Sequence, residues 1–105
     1  MQDFTTTQNT IINAQKEYTL AAELKQRAQA LEIQGMEEAA STLTEAAATL
    51  MVPASIKIFD AGLAKYAGPL AEAVNEGPEA VKKVTGEMIS AELIGPTGQG
   101  GPVRK

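Results

Sequence analysis

Between Pro53 and Leu70 the large apolar residues Ile56, Phe59, Leu63, Tyr66 and Leu70 fall at alternating steps of three and four. That spacing places side chains on one face of an α-helix. Lys57, Asp60 and Lys65 lie between them and point the other way. The pattern predicts an amphipathic helix whose seam holds two of the four aromatic residues of the chain, and all five seam residues are candidates for a core or an interaction face.

Upstream, Ile11, Ala14, Tyr18 and Ala21 form one stripe that drifts into Leu20, Leu24, Ala28 and Leu31. This predicts a long first helix from Thr10 to Ile33, with Asn9 or Thr10 as its N-cap and Gly35 as the left-handed residue that ends it. A second, Ala-rich helix is expected from Met36 to Met51, with Leu43, Leu50 and Met51 as its larger contacts. It should stop before Pro53, because the residue preceding proline is pushed out of helical geometry. Downstream, Gly68-Pro69 and Gly77-Pro78 read as helix punctuation, glycine closing one helix and proline opening the next at its first position. Helices are therefore expected from Pro53 to Ala67, from Pro69 to Glu76 and from Pro78 to Leu93, the last with Val81, Val84, Met88 and Ala91 on its inner face.

The fold class expected is all-α: a small antiparallel helical bundle or stacked helical hairpins, of about four or five helices. Short connections between the helices imply antiparallel neighbours. Residues 10–94 form the helical domain. Residues 1–9, a Thr, Gln and Asn mixture around Phe4, read as an N-terminal arm, and residues 95–105, GPTGQGGPVRK, as a flexible Gly/Pro-rich tail ending in Arg104 and Lys105. Phe4, Arg104 and Lys105 are candidates for docking on a neighbouring subunit.

A repeat adds a resemblance. Glu38-Ala39-Ala40 and Glu45-Ala46-Ala47 recur thirty-four residues later as Glu72-Ala73-Val74 and Glu79-Ala80-Val81. The stretch GMEEAASTLTEAAATLMVP is similar to the second half of a tetratricopeptide repeat, with Gly35 at the turn, Ala39 and Ala46 as the small positions, Met36 and Leu43 as the larger ones, and Pro53 following. In the second copy Gly77 stands in place of Leu43. The resemblance implies helical hairpins over residues 20–85 that hold a peptide or partner helix in a concave groove.

Composition narrows the chemistry. The chain has 105 residues, 18 of them Ala, so its core of larger side chains is thin and invites help from another copy. Neither Cys nor His occurs, which removes thiolate zinc sites, disulfides, and every Ser-His-Asp or Cys-His arrangement. Glu37, Glu38, Glu45 and Glu72 are the carboxylates with a chance of converging, but a helical di-metal site wants a Glu-x-x-His pairing that this chain lacks. No catalytic residue, metal site or cofactor is expected, and the protein is not expected to be an enzyme. The net charge is −4 and the nine Lys and Arg are scattered, which argues against nucleic acid. No apolar run is long enough for a membrane span, and the N-terminus lacks the features of a signal peptide. The expected location is the cytoplasm or an assembled particle.

The function that follows is a non-catalytic structural or assembly protein acting through helix–helix contacts and self-associating, such as a small virion or secretion-apparatus component. The alternative is a tetratricopeptide-like adaptor or chaperone. The partner is protein in either case.

Overall fold

The computed structural model describes the backbone of residues 4–94 and the side chains of residues 6–92. Every described element is helical, which places the protein in the all-α class anticipated above. Helix α1 spans Phe4–Ile33, α2 Glu37–Asp60, α3 Ala67–Glu76 and α4 Pro78–Ile89. A single 3-10 turn, Ala64–Tyr66, leads into α3, and one π turn, Ser90–Ile94, continues α4.

α1 and α2 form a long antiparallel hairpin. Its turn is built by Gly35, whose φ of +84° allows a Schellman closure: the Met36 N–H donates to the Leu31 carbonyl (2.9 Å) and the Gly35 N–H to that of Glu32 (3.0 Å). Ala14, Ala21 and Ala28 on α1, and Ala40, Ala47 and Ala54 on α2, recur every seven residues and are all buried. Such small side chains let two helix axes approach to the near end of the usual 8–10 Å range. Tyr18 and Ser55 share a hydrogen bond of 2.7 Å, and Lys57 Nζ lies 3.2 Å from Glu17 Oε2. These pairs set a register in which Tyr18 lies level with Ala54 and Ala14 with Ile58, large against small.

The α3–α4 hairpin packs on another face of α1, α3 running parallel to it and α4 antiparallel. Gln15 Nε2 donates to Thr85 Oγ1 (2.7 Å) and Lys25 Nζ to Asn75 Oδ1 (2.6 Å). Thr85 is fully buried, and its hydroxyl also donates to the Val81 carbonyl (3.0 Å), so this polar group inside the core is satisfied. Gly77, between α3 and α4, abuts Gln26, so the last turns of α1 and the first half of α2 run on past the second hairpin. The molecule is accordingly elongated, 55 × 25 × 18 Å. Among the described residues no helix is long and apolar enough to cross a membrane.

Several expected boundaries differ, among them the break at Gly68-Pro69, which lies inside the first turn of α3 instead of separating two helices. α1 begins at Phe4 rather than Thr10, and Thr10, instead of capping, donates its hydroxyl to the Thr6 carbonyl one turn back within the helix (3.0 Å). α2 continues through Pro53, which was expected to end it. Pro53 and Thr49 are both exposed, so water satisfies the carbonyl that proline leaves unpaired, while Ala47, Ala54 and Ile58 hold the helix on α1 from either side. The expected single helix across the Pro53–Leu70 stretch does not form. Gly62, at φ +79°, closes α2 in a second Schellman turn: the Leu63 N–H donates to the Ile58 carbonyl (2.9 Å), and Ile58 and Leu63 are both buried in the core. The 34-residue repeat is likewise not expressed in the helices, since Glu38-Ala39-Ala40 opens α2 whereas Glu72-Ala73-Val74 lies in the second half of α3.

Two substitutions test this reading of α2. Replacing exposed Pro53 with Ala restores an N–H to the helix interior, where proline costs about 3 kcal/mol. Allowing for up to about 1 kcal/mol returned by a more flexible unfolded chain, urea denaturation of Pro53→Ala should show a gain of about 2 kcal/mol. Gly62→Ala should lose about 1 kcal/mol in the same experiment. A Cβ there meets nothing within 4 Å, so the loss comes from the backbone alone.

Candidate interaction surface

The structure separates the five seam residues. Leu63 and Leu70 are buried within the chain's own core, Leu63 as the residue after the Gly62 turn and Leu70 on the inner side of α3. They hold the fold and present nothing to a partner. Tyr66 is half-buried. Ile56 and Phe59 are exposed, at 54% and 58% of their full surface. Phe4 opens α1, but its side chain lies outside the described residues, as do Arg104 and Lys105 and the tail that carries them.

Ile56 and Phe59 do not stand alone. Val52 is 60% exposed, and Val52, Ile56 and Phe59 fall at i, i+4 and i+7 on α2, so they line one side of it. Ile56 lies about 200° around the helix from Ala54 and from Ile58. Ile56 therefore points directly away from α1, with Val52 and Phe59 to one side of it. Its neighbours on that side, Ala48 and Thr49, carry no charge, and Lys57 leans back to Glu17. Glu45 and Asp60 bracket it. The other exposed large apolar residues among those described, Leu20, Ile33 and Met36, lie on α1 and at the hairpin turn. Val52 directly precedes Pro53, so a helix that ends at proline leaves it out; with proline inside α2 the three-residue stripe is legible.

A second cluster ties the end of the chain to the middle. Glu92 Oε2 accepts a hydrogen bond from the Tyr66 hydroxyl (2.9 Å) and lies 3.2 Å from Lys65 Nζ, which sits 5.3 Å from the Tyr66 ring centroid. Burial, the hydrogen bond to Glu92 and the charges of Glu92 and Glu87 push the Tyr66 phenol up to about 12. Tyr18, fully buried, is also raised, chiefly by burial, against a lowering by its Ser55 hydrogen bond. Neither tyrosine faces a group it could activate. Their hydrogen bonds tie neighbouring elements together, Tyr18 to Ser55 of α2 and Tyr66 to Glu92.

Glu37, Glu38, Glu45 and Glu72 are all exposed, and no group of three or more acidic side chains among the described residues is placed to hold a metal ion. The groove between α3 and α4, lined by Glu72, Glu76, Lys83 and Glu87 over Ala73 and Val84, encloses about 240 Å³, below the range of small-molecule sites. A wider hollow of about 470 Å³ is formed only by the consecutive residues Gly35 to Ala39 at the hairpin turn and has no opposing wall. The chain matches no protein-family model, no curated protein and no solved structure.

The Tyr66–Glu92 bond carries a pH signature. A phenol held protonated above its ordinary value near 10 contributes stability at lower pH that is lost as pH rises through about 12. Ultraviolet titration of folded protein should show Tyr66 ionising near 12, and Glu92→Gln should lower that midpoint by removing the carboxylate. An unchanged midpoint would mean that Glu92 does not hold this phenol.

Proposed function

We propose that this protein is a non-catalytic structural or assembly protein that acts through helix–helix contact and associates with its own copies across the outward face of α2. One observation carries the reading: Val52, Ile56 and Phe59 form an uncharged apolar stripe on a helix whose opposite side already fills the core. Scattered exposed apolar residues need no explanation, whereas a contiguous stripe of this kind supports a contact surface. The absence of charge on it favours an apolar partner face over an acidic or basic one.

The stripe exposes roughly 300 Å² of side chain per copy, taking a buried aromatic at 150–250 Å² as the scale. Pairing two such faces removes roughly 600 Å² from water, about 15 kcal/mol at 25 cal/mol per Å². The lost freedom of two bodies offsets about 4–15 kcal/mol of this before any side chain is ordered. The balance spans roughly 0–11 kcal/mol, and the middle of that span, association in the micromolar to millimolar range, is the expectation to be tested.

Light scattering after size exclusion, from about 10 μM to 1 mM, a window set by that affinity range, should show a mass rising from 11.0 kDa toward twice that value. The double variant Ile56→Lys, Phe59→Lys should stay monomeric at every concentration with its helical circular dichroism unchanged. A monomer throughout in the unaltered chain would sink the reading and turn attention to a partner helix from another protein.

A further inference from the structure

Past Gln26 the first hairpin stands on its own two helices. Gly77, the turn of the second hairpin, sits so close to Gln26 that a Cβ on it would come 2.8 Å from the Gln26 Nε2, and the second hairpin ends at that turn. With Tyr18 bonded to Ser55 and level with Ala54, Gln26 lies level with Ala46. Residues 27–46 therefore form a tip that projects roughly 10 Å further, at about 1.5 Å per helical residue.

The tip is held by much less than the rest of the hairpin. The apolar core takes in Ile11 to Ala22 on α1 and Ala47 to Ile58 on α2, together with Leu70, Val74, Val81 and Met88 of the second hairpin. Within the tip the buried residues are Ala28 and Ala40, and neither belongs to that core. Leu31 and Leu43 are half-buried. Both polar ties between α1 and α2, Tyr18–Ser55 and Glu17–Lys57, lie outside the tip. The hydroxyls of Thr42 and Thr44 turn back to carbonyls of their own helix, and among the described residues no side-chain hydrogen bond or ion pair crosses between the two arms.

Opening from the Gly35 turn leaves a loop between Gln26 and Ala47, and the entropy of such a loop changes slowly with its length. Each arm, once parted from the other, is shorter than a helix needs to be stable in water. Contact and helix are therefore lost together. The large buried side chains, Ile11, Tyr18, Ile58, Leu70, Val81 and Met88, all stay covered.

We infer that residues 27–46 open and close as a unit while the remainder of the bundle stays folded. Ile33 and Met36, both exposed, ride on the part that opens, whereas Val52, Ile56 and Phe59 stand on the part that does not. The tip changes shape without disturbing the outward face of α2.

Hydrogen exchange followed amide by amide by NMR, in buffer and in rising urea below the unfolding transition, tests this. The amides of residues 29–33 and 41–46, all inside helices, should exchange at least about a hundredfold faster than those of residues 14–22, 54–58 and 82–88. Their rates should respond little to urea, because the tip exposes little surface when it opens. Ile58→Val, in the core, should speed the core amides about fivefold and leave those of the tip unchanged. Tip amides that exchange at the core rate with the core's urea dependence would overturn the inference. So would a fivefold rise in the tip of Ile58→Val, since the tip would then open only when the core does.

Discussion

The close antiparallel contact of α1 and α2 is the interaction on which the rest of this structure depends. Alanines at intervals of seven on both helices remove the bulk that would hold the axes apart, and the larger Tyr18 and Ile58 fill the remaining space opposite them. The contact runs over the greater part of a 30-residue and a 24-residue helix, so many small burials add up where each is slight. It is also what carries α2 through Pro53. A proline inside a helix is tolerated when tertiary packing on both sides of it keeps the helix in place and its own side faces water.

α1 is covered on two faces, by α2 and by the α3–α4 hairpin, whereas α2 is covered on one. This asymmetry leaves the outward side of α2 open at Val52, Ile56 and Phe59. Polar contacts then fix details the alanines leave loose. The Tyr18–Ser55 bond holds the register of the first hairpin, Gln15–Thr85 docks α4, and Glu92 gathers Tyr66 and Lys65 beside the start of α3.

Much of the fold was legible residue by residue. Gly35 as the end of α1, Gly77-Pro78 as the junction of α3 and α4, and the inner positions Ile11, Ala14, Tyr18, Ala21, Val81 and Met88 all follow from local stereochemistry and helical spacing, and all are found where that reasoning puts them. The stripe from Ile56 to Leu70 failed because its steps of three and four cross Gly62. The apparent continuity came from the four-residue step from Phe59 to Leu63, which has helical spacing but crosses the Schellman turn, so that Leu63 enters the core while Phe59 stays outside. Thr85 was overlooked since a hydroxyl is out of place in a core until its partners, Gln15 and the Val81 carbonyl, are known.

The sequence by itself determined that the chain is helical, that Gly35 and Gly77-Pro78 punctuate it, and that His- and Cys-dependent chemistry is absent, because these depend on residue type and on neighbours a few positions away. Which side of α2 is buried was decided only by the tertiary structure. Both sides carry apolar residues, Ala47, Ala54 and Ile58 on one and Val52, Ile56 and Phe59 on the other, and by size alone the outward set would make the better core. Small side chains win the interior here because they let α1 approach closely along its whole length, an advantage that exists only once the two helices are packed together.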